Sequence, residues 1–239
     1  MPGAQGLGPG TADHVALVLL AAASGAVDAL AFTVLGHVFA GVMTGNLALL
    51  GIAFASGHPI DLTAPLVALA GFVAGIWATA LTCRGCAADT RPGWPTRALL
   101  CLAAETGLLT VHASIWAGSG GVPGRTLREV LLCVAAVAMG GQSAAMLVAG
   151  RVARPSTYFT GSLATYVARN AGVLSGASDR WVPVRLAALV AGAAVAAVLH
   201  RWAPAWAAVP PPVLVLAAVL ITTYRHTRPR PAAIPLHKG

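Results

Sequence analysis

Charged side chains are scarce in this chain, at 9% of residues, while 57% of residues are hydrophobic. A soluble domain carries about 25% charged residues, so this chain has too little polar surface to cover itself in water. Its mean hydropathy is +0.78. Apolar runs of about 20 residues, the length of a bilayer-crossing helix, recur along it. The sequence therefore predicts a single integral membrane domain over residues 1–239, all α-helical and in contact with the lipid bilayer.

The chain also lacks the motifs on which most catalytic and metal sites are built. It contains no phosphate-binding loop, no Gly-x-Ser-x-Gly and no His-Glu-x-x-His. Its seven histidines are scattered, without metal-ligand spacing to Cys or Asp. We therefore expect no enzyme activity, no catalytic residue, no cofactor and no metal site. The same absences disfavour an ATP-driven role for this chain alone.

Cysteine is rare, with four residues in 239. Cys83-Arg-Gly-Cys86 has the spacing of a redox pair or of half a zinc site, but a structural zinc needs four ligands. The other two, Cys101 and Cys133, lie in apolar runs. The sequence favours interfacial thiols without a metal or redox role.

Lysine and arginine are absent from residues 1–14. A secretory signal begins with a positively charged segment, so we expect the first apolar run to be a retained span. The formal net charge of +8 arises from basic residues in short loops and near the C-terminus. This distribution is typical of a membrane protein oriented by cytoplasmic Lys and Arg, and it argues against nucleic-acid binding. We expect residues 225–239 to form a basic cytoplasmic tail.

Eight apolar runs of helical length follow one another along the chain. They cover residues 14–35, 36–56, 62–82, 98–117, 130–149, 155–173, 184–200 and 209–224. A glycine-rich linker at 118–124 separates the first four from the last four. The second and sixth runs each hold Thr-Gly followed by a small polar residue, at Thr44-Gly45-Asn46 and Thr160-Gly161-Ser162. This echo predicts repeat halves at approximately 14–117 and 127–224.

Glycines support the same correspondence. Gly140-Gly141-Gln142 in the fifth run corresponds to Gly25-Ala-Val-Asp28 in the first, and Gly192 corresponds to Gly75. Gly71 and Gly75 have the small-xxx-small spacing that lets helices approach closely in lipid. We interpret that pair as a helix-packing feature.

The distribution of basic residues distinguishes two topologies, because cytoplasmic loops are enriched in Lys and Arg. If all eight runs cross the membrane, nine basic residues lie inside and six outside, and the repeats are parallel. If the two Thr-Gly segments are re-entrant or broken and only six runs cross, twelve lie inside and three outside. The sequence therefore favours six spans, both termini cytoplasmic, and three spans in each half. An odd number of spans in each half makes the repeats inverted.

Two acidic residues fall near the middle of predicted spans, Asp28 in the first run and Glu105 in the fourth. An ionised carboxylate at the bilayer centre costs about 2.5–3.5 kcal/mol on insertion scales, and such residues often mark ion pathways. Glu105 and His112 are two helical turns apart on one face and could relay protons. A neutral, hydrogen-bonded Glu105 and an interfacial His112 are the alternative.

The Thr-Gly segments are the candidate substrate or ion pathway. Thr44, Gly45 and Asn46 combine a hydroxyl, a freely bending backbone and an amide that both donates and accepts. Thr160, Gly161 and Ser162 offer a similar set. Gln142, aligned with Asp28, is its neutral counterpart and a candidate hydrogen-bond partner. A capped helix kink or a packing motif is the alternative interpretation of both segments.

The motifs Ser24-Gly-Ala-Val-Asp28, Leu35-Gly-His-Val-Phe39 and Met43-Thr-Gly-Asn-Leu47 resemble the YoaK-like family of bacterial inner-membrane proteins. Met139-Gly-Gly-Gln142 and Phe159-Thr-Gly-Ser-Leu163 extend the resemblance over almost the whole chain. It implies a multi-pass protein of one domain in a bacterial plasma membrane, without an established biochemical activity. This chain has Gly141-Gln142-Ser143 where the family usually has an apolar residue followed by Gln-Asn.

Two functional hypotheses follow from these features. The first is a small-solute or ion transporter or channel, with proton coupling through the mid-span acids, because paired breaks between inverted halves are typical of transporters. The alternative is a non-transporting scaffold or accessory subunit that binds a partner through its small-residue faces. An intramembrane enzyme is a distant third. A homo-oligomer is compatible with each.

Overall fold

The computed structural model describes residues 10–55, 62–85, 94–149, 159–175 and 179–227. Its regular elements are all helical: α1 (Thr11–Thr33), α2 (Met43–Ala55), α3 (Thr63–Thr82), α4 (Thr96–Gly118), α5 (Arg125–Val148), α6 (Phe159–Asn170), α7 (Trp181–Trp202) and α8 (Pro210–Thr227). A short 3-10 helix, Pro204–Trp206, precedes α8. No strand occurs within the described ranges, so the all-α prediction is confirmed.

Six of these helices have the length and hydropathy to cross a bilayer. They are α1, α3, α4, α5, α7 and the segment formed by the 3-10 helix with α8. The described parts of α2 and α6 have 13 and 12 residues. At 1.5 Å per residue they are about 20 Å and 18 Å long, short of the roughly 30 Å hydrocarbon core. The six-span prediction is confirmed in the number of long apolar helices.

The boundaries of the two Thr-Gly runs differ most from expectation. Residues 34–42 are not helical, so only the second part of the predicted run 36–56 forms α2. In the predicted run 155–173 the helix covers Phe159–Asn170, and residues 150–158 lie outside the described part. At the other end of the chain, α8 continues to Thr227. The first three residues of the predicted tail are therefore helical.

The bundle is built from two pairs of closely packed helices. The pair α1 and α7 and the pair α3 and α5 make the most extensive contacts. The helices α4 and α8 pack against each other; α4 also packs on α5, and α8 on α1. The short helix α2 packs on α3, and α6 packs on α7. The core between the long helices is rich in alanine and leucine.

Glycine permits two close helix crossings in the described bundle. A Cβ atom on Gly25 of α1 would overlap the Leu189 carbonyl of α7, and one on Gly192 of α7 would overlap the Ala22 carbonyl of α1. The second crossing has the same reciprocal form, with Gly140 of α5 against Phe72 and Gly75 of α3 against Val137. Only a residue without a side chain permits these approaches. The interpretation of Gly75 as a packing residue is confirmed.

Both ends of α7 are held by specific polar contacts. At its N-terminal end the Asp179 carboxylate accepts hydrogen bonds from the Trp181 amide and the Arg185 guanidinium. Burial acts to raise the pKa of Asp179, but these two partners outweigh it and hold the pKa below its ordinary value. The ring of Trp181 stacks on His14 of α1 at 4.8 Å between centroids.

At the opposite end of α7, the Trp116 indole of α4 donates a 2.7 Å hydrogen bond to the Pro204 carbonyl that follows α7.

Candidate functional site

The clearest polar site lies where the chain folds back after α1. Residues 34–42 leave the helix through Gly36 (φ 134°) and His37 (φ 58°). The chain then returns to the middle of α1, where the Gly41 amide donates a 2.8 Å hydrogen bond to Oδ1 of Asp28. Asp28 is therefore buried but not isolated, because non-helical backbone supplies a hydrogen bond to it.

Ser24 completes this site from one turn earlier on α1. Both Ser24 and Asp28 are buried. A Cβ atom on Gly41 would lie 3.3 Å from Oδ2 of Asp28 and 3.6 Å from the Ser24 hydroxyl. The backbone at Gly41 thus reaches the carboxyl group because no side chain intervenes. Neither Ser24 nor Gly41 was predicted as a site residue, although each stands close to a predicted one in the sequence.

Asn46 fixes the same loop from its other side. Its Oδ1 accepts a 2.9 Å hydrogen bond from the Phe39 amide, and its Nδ2 donates a 2.7 Å hydrogen bond to the Phe39 carbonyl. The side chain is completely buried. Both functional ends of the amide are engaged by one backbone unit, so Asn46 acts here as a clamp on the loop. The capped-kink alternative describes it better than an open solute-binding amide.

The neighbouring residues of this segment differ in exposure. Thr44 is exposed, and Gly45 packs beneath the Phe39 ring, to which an added Cβ would come within 3.1 Å. Phe39 in turn stacks on Phe32 of α1, with 5.2 Å between ring centroids. The first Thr-Gly segment is thus built into a compact turn around Phe39 and Asn46.

The second Thr-Gly segment is placed differently. Thr160 and Gly161 are exposed and Ser162 is partly exposed. No residue of α6 is buried, and an added Cβ on Gly161 would meet open space. Because α6 packs on α7 whereas α2 packs on α3, the two segments lie in separate packing environments. The prediction of one pathway lined by both Thr-Gly segments gains no support from these contacts.

Gln142 of α5 is buried and hydrogen-bonds to α1. The partner differs from Asp28, which the correspondence between the two halves of the sequence had suggested. Its Nε2 donates a 3.4 Å hydrogen bond to the Leu20 carbonyl, two turns before Asp28 on α1. The adjacent Ser143 is also buried, and its hydroxyl donates to the Met139 carbonyl within α5. The Gln142 side chain therefore links α5 to the backbone of α1.

Glu105 is the most unusual polar group among the described residues. It lies near the middle of α4 on a buried face that includes Leu102 and Leu109, and its exposed fraction is 2%. Neither oxygen of its carboxyl group has a hydrogen-bond partner within the described part of the chain. The hydrogen-bonded alternative proposed from the sequence therefore finds no partner there. A buried polar group in this condition requires an explanation.

His112 lies two turns further along the same face of α4, as the spacing predicts. It is buried, and its Nδ1 is 3.2 Å from the Leu131 carbonyl of α5. Its ring stacks near Trp116 at 6.0 Å between centroids, and Trp116 meets His200 of α7 edge-on at the same separation. Trp116 and His200 were not predicted, because nothing in the sequence links α4 to the end of α7.

Residues 16–221 match the family described as Protein of unknown function (DUF1275). The chain belongs to this family. The predicted resemblance to YoaK-like membrane proteins is confirmed, and a multi-pass membrane protein agrees with the six long apolar helices.

One relative is the UPF0700 transmembrane protein YoaK of Bacillus subtilis (strain 168). It is 34% identical over 149 residues, which make up 62% of this chain and 63% of the relative. The match therefore spans less than two thirds of that protein's length. No solved structure matches the chain. The family description names no activity.

Proposed function

We propose that this protein is a proton-coupled transporter of a small solute or ion. The observation that carries the proposal is the Glu105 carboxyl group, buried in a membrane span with no hydrogen-bond partner in the described ranges. An ionised carboxylate without partners is expensive to bury, so in this state Glu105 is expected to hold a proton. Intramembrane acids of this kind commonly carry protons or cations in transporters.

His112 supplies a second titratable group on the same helix face. The seven-residue separation from Glu105 corresponds to about 10.5 Å along α4. The Leu131 carbonyl orients the imidazole through Nδ1. Glu105 and His112 are therefore two groups on one helix that can bind a proton as it moves between one end of α4 and the bundle interior.

Asp28 has a different proposed role, that of holding the broken segment in place. Its carboxyl group accepts a hydrogen bond from the Gly41 amide, and hydrogen bonds to a charged acceptor are the stronger kind. Protonation at Asp28 would weaken this bond and loosen residues 34–42. Loop movement would thereby be coupled to proton binding at the membrane interior.

Helix packing supports inverted repeats as the framework of this transporter. A shift of 115 residues maps Ala22 and Gly25 of α1 onto Val137 and Gly140 of α5. A shift of 117 residues maps Phe72 and Gly75 of α3 onto Leu189 and Gly192 of α7. The two reciprocal glycine crossings are exchanged by these shifts. With three long apolar helices in each half, the halves would have opposite orientations.

The same shifts revise the proposed alignment of polar residues. Asp28 falls on Ser143, one residue beyond Gln142, and Glu105 falls on Thr222 of α8. Both counterparts are buried and hydrogen-bond to their own helices. The two acids are thus confined to the first half, which is where we place proton binding. Location in a bacterial plasma membrane with cytoplasmic termini, and a homo-oligomer, complete the proposal.

Transport can be tested in proteoliposomes loaded with a pH-sensitive dye. A panel of amino acids, sugars, carboxylates, Na⁺ and K⁺ is added outside, and internal pH is followed for the wild type and for Glu105→Gln. We expect at least one solute to move protons with the wild type and the response to fall at least about tenfold in Glu105→Gln, as for loss of an essential proton carrier.

Matched variants make this experiment decisive. Thr106→Val, next to Glu105 on α4, removes a hydroxyl that donates to the Leu102 carbonyl of its own helix and should retain flux. Wild-type protein that moves no protons with any solute of the panel would overturn the proposal. Equal flux in the wild type and Glu105→Gln would remove Glu105 from the mechanism. The scaffold alternative predicts tolerance of both Glu105→Gln and Asp28→Asn, together with a co-purifying partner.

A further inference from the structure

Two cysteines that are distant in the sequence meet at one end of the bundle. The Sγ atoms of Cys83, which follows α3, and Cys101, in the second turn of α4, are 3.9 Å apart. A disulfide bond has a sulfur–sulfur distance of about 2.05 Å, so these two groups are thiols in contact. The sequence showed redox-pair spacing only for Cys83 and Cys86 and favoured thiols without a redox role; Cys86 lies outside the described residues.

Arg97 keeps this pair together from the side. Its Nη1 donates hydrogen bonds of 3.3 Å to the Thr82 carbonyl and 2.9 Å to the Arg84 carbonyl. Arg97 and Cys101 are four residues apart and therefore lie on one face of α4. The guanidinium thus joins the start of α4 to the residues on both sides of Cys83. This attachment holds Cys101, one turn further along α4, beside Cys83.

We infer that Cys83 and Cys101 form an oxidisable dithiol, a site at which a peroxide would create a disulfide between α3 and α4. Cys83 is buried and Cys101 is partly exposed. The more accessible member of such a pair is oxidised first and the neighbouring thiol resolves it. Cys101 is therefore the peroxide-reacting residue and Cys83 the resolving residue.

The chemistry balances with hydrogen peroxide as the oxidant. The Cys101 thiolate attacks one peroxide oxygen, the O–O bond breaks, and the products are a sulfenic acid and hydroxide, which takes up a proton to give water. The Cys83 thiolate then attacks the sulfenic sulfur, forming the S–S bond and releasing a second hydroxide, which is also protonated. The two sulfurs lose two electrons in total, and two water molecules leave.

The consequence of this bond is mechanical. The helices α3 and α4 pack on α5 but make few contacts with each other. A disulfide between residues 83 and 101 would join α3 to α4 covalently and close the segment between these two residues into a loop. On the predicted topology this end faces the cytoplasm, where disulfides are transient and report oxidation.

Peptide mapping of the purified full-length protein tests the assignment. The protein is treated with hydrogen peroxide, remaining thiols are blocked, and it is digested with trypsin and chymotrypsin. Cleavage after Arg84 and Arg97 places Cys83, Cys86 and Cys101 on three different peptides. We expect the Cys83–Cys101 linked peptide to exceed every other pairing by about tenfold or more, because contact raises effective concentration, and to disappear on reduction.

Two variants serve as matched controls. Cys86→Ser should leave the linked peptide unchanged, whereas Cys101→Ser should abolish it and leave Cys83 open to alkylation. A predominant Cys83–Cys86 linkage in the wild type would overturn the inference. So would protein that keeps both thiols alkylatable after peroxide treatment, or that forms links only between molecules on non-reducing gels.

Discussion

Asn46 and Phe39 are joined by two hydrogen bonds that close a ring between one side-chain amide and one backbone unit. The oxygen of Asn46 accepts from the Phe39 amide and its nitrogen donates to the Phe39 carbonyl. In a membrane interior a backbone group without a partner is costly, because water is not available to replace it. The side chain therefore does for residues 34–42 what a neighbouring strand or helical turn does elsewhere.

Replacing Asn46 with alanine should destabilise the protein measurably. The change leaves an amide and a carbonyl of Phe39 without their partners, and each unsatisfied buried group costs about 1–3 kcal/mol. We expect a lower midpoint of thermal unfolding in detergent, followed by intrinsic tryptophan fluorescence. Thr44→Ala in the same helix is the control, because Thr44 is exposed and should shift stability by at most about 0.5 kcal/mol. Equal midpoints for the two variants would contradict the role of the clamp.

Gly25→Ala tests the crossing of α1 and α7. A Cβ atom there would overlap the backbone carbonyl of Leu189, and backbone cannot move aside as the end of a side chain can. Overpacking of a well-filled interior typically costs about 1–3 kcal/mol, so we expect a lower unfolding midpoint or a poor yield of folded protein.

Gly107→Ala in α4 is the matched substitution for Gly25→Ala. An added Cβ at Gly107 has nothing within 4 Å, and alanine is the better helix former by about 1 kcal/mol. The two glycine-to-alanine changes should therefore act in opposite directions or differ clearly in size. A Gly25→Ala protein as stable as the wild type would show that the helices do not approach as closely as the structure places them.

The sequence predicted the long elements well and the contacts between them poorly. The run 62–82 corresponds to the helix Thr63–Thr82 because hydropathy alone sets the length of a membrane span. The non-helical residues 34–42 were apolar enough to pass as helix, and only the backbone shows that they return to Asp28. The same holds for Cys83 and Cys101, whose meeting depends on how α3 and α4 are arranged. Local patterns do not contain such tertiary information.

Trp116→Phe isolates one such tertiary contact. Phenylalanine retains the aromatic body between His112 and His200 but loses the indole N–H that donates to the Pro204 carbonyl. We expect a stability loss of about 0.5–1.5 kcal/mol, the usual net value of one hydrogen bond, measured by chemical unfolding in mixed micelles. Trp202→Phe, at an exposed position, should leave the unfolding curve unchanged. If Trp116→Phe is neutral as well, the bond does not hold the end of α7 against α4.

The ion pair at the start of α7 gives the protein an acid-sensitive contribution to stability. The pKa of Asp179 is held below its ordinary value of 3.8 despite partial burial. A carboxyl group with a lowered folded-state pKa stabilises the protein above the pKa of the unfolded state, and this contribution disappears as the pH falls through the folded value. The unfolding midpoint of the wild type should therefore exceed that of Asp179→Asn by a constant amount between pH 7 and pH 5, and the difference should shrink only as the pH falls below about 3.8 and through the still lower pKa of the folded state. Glu129→Gln removes an exposed pair with Arg125 and should match the wild type, because exposed ion pairs contribute about 0–1 kcal/mol. An Asp179→Asn difference that persists unchanged in acid would assign the stabilisation to shape or hydrogen bonding rather than to charge.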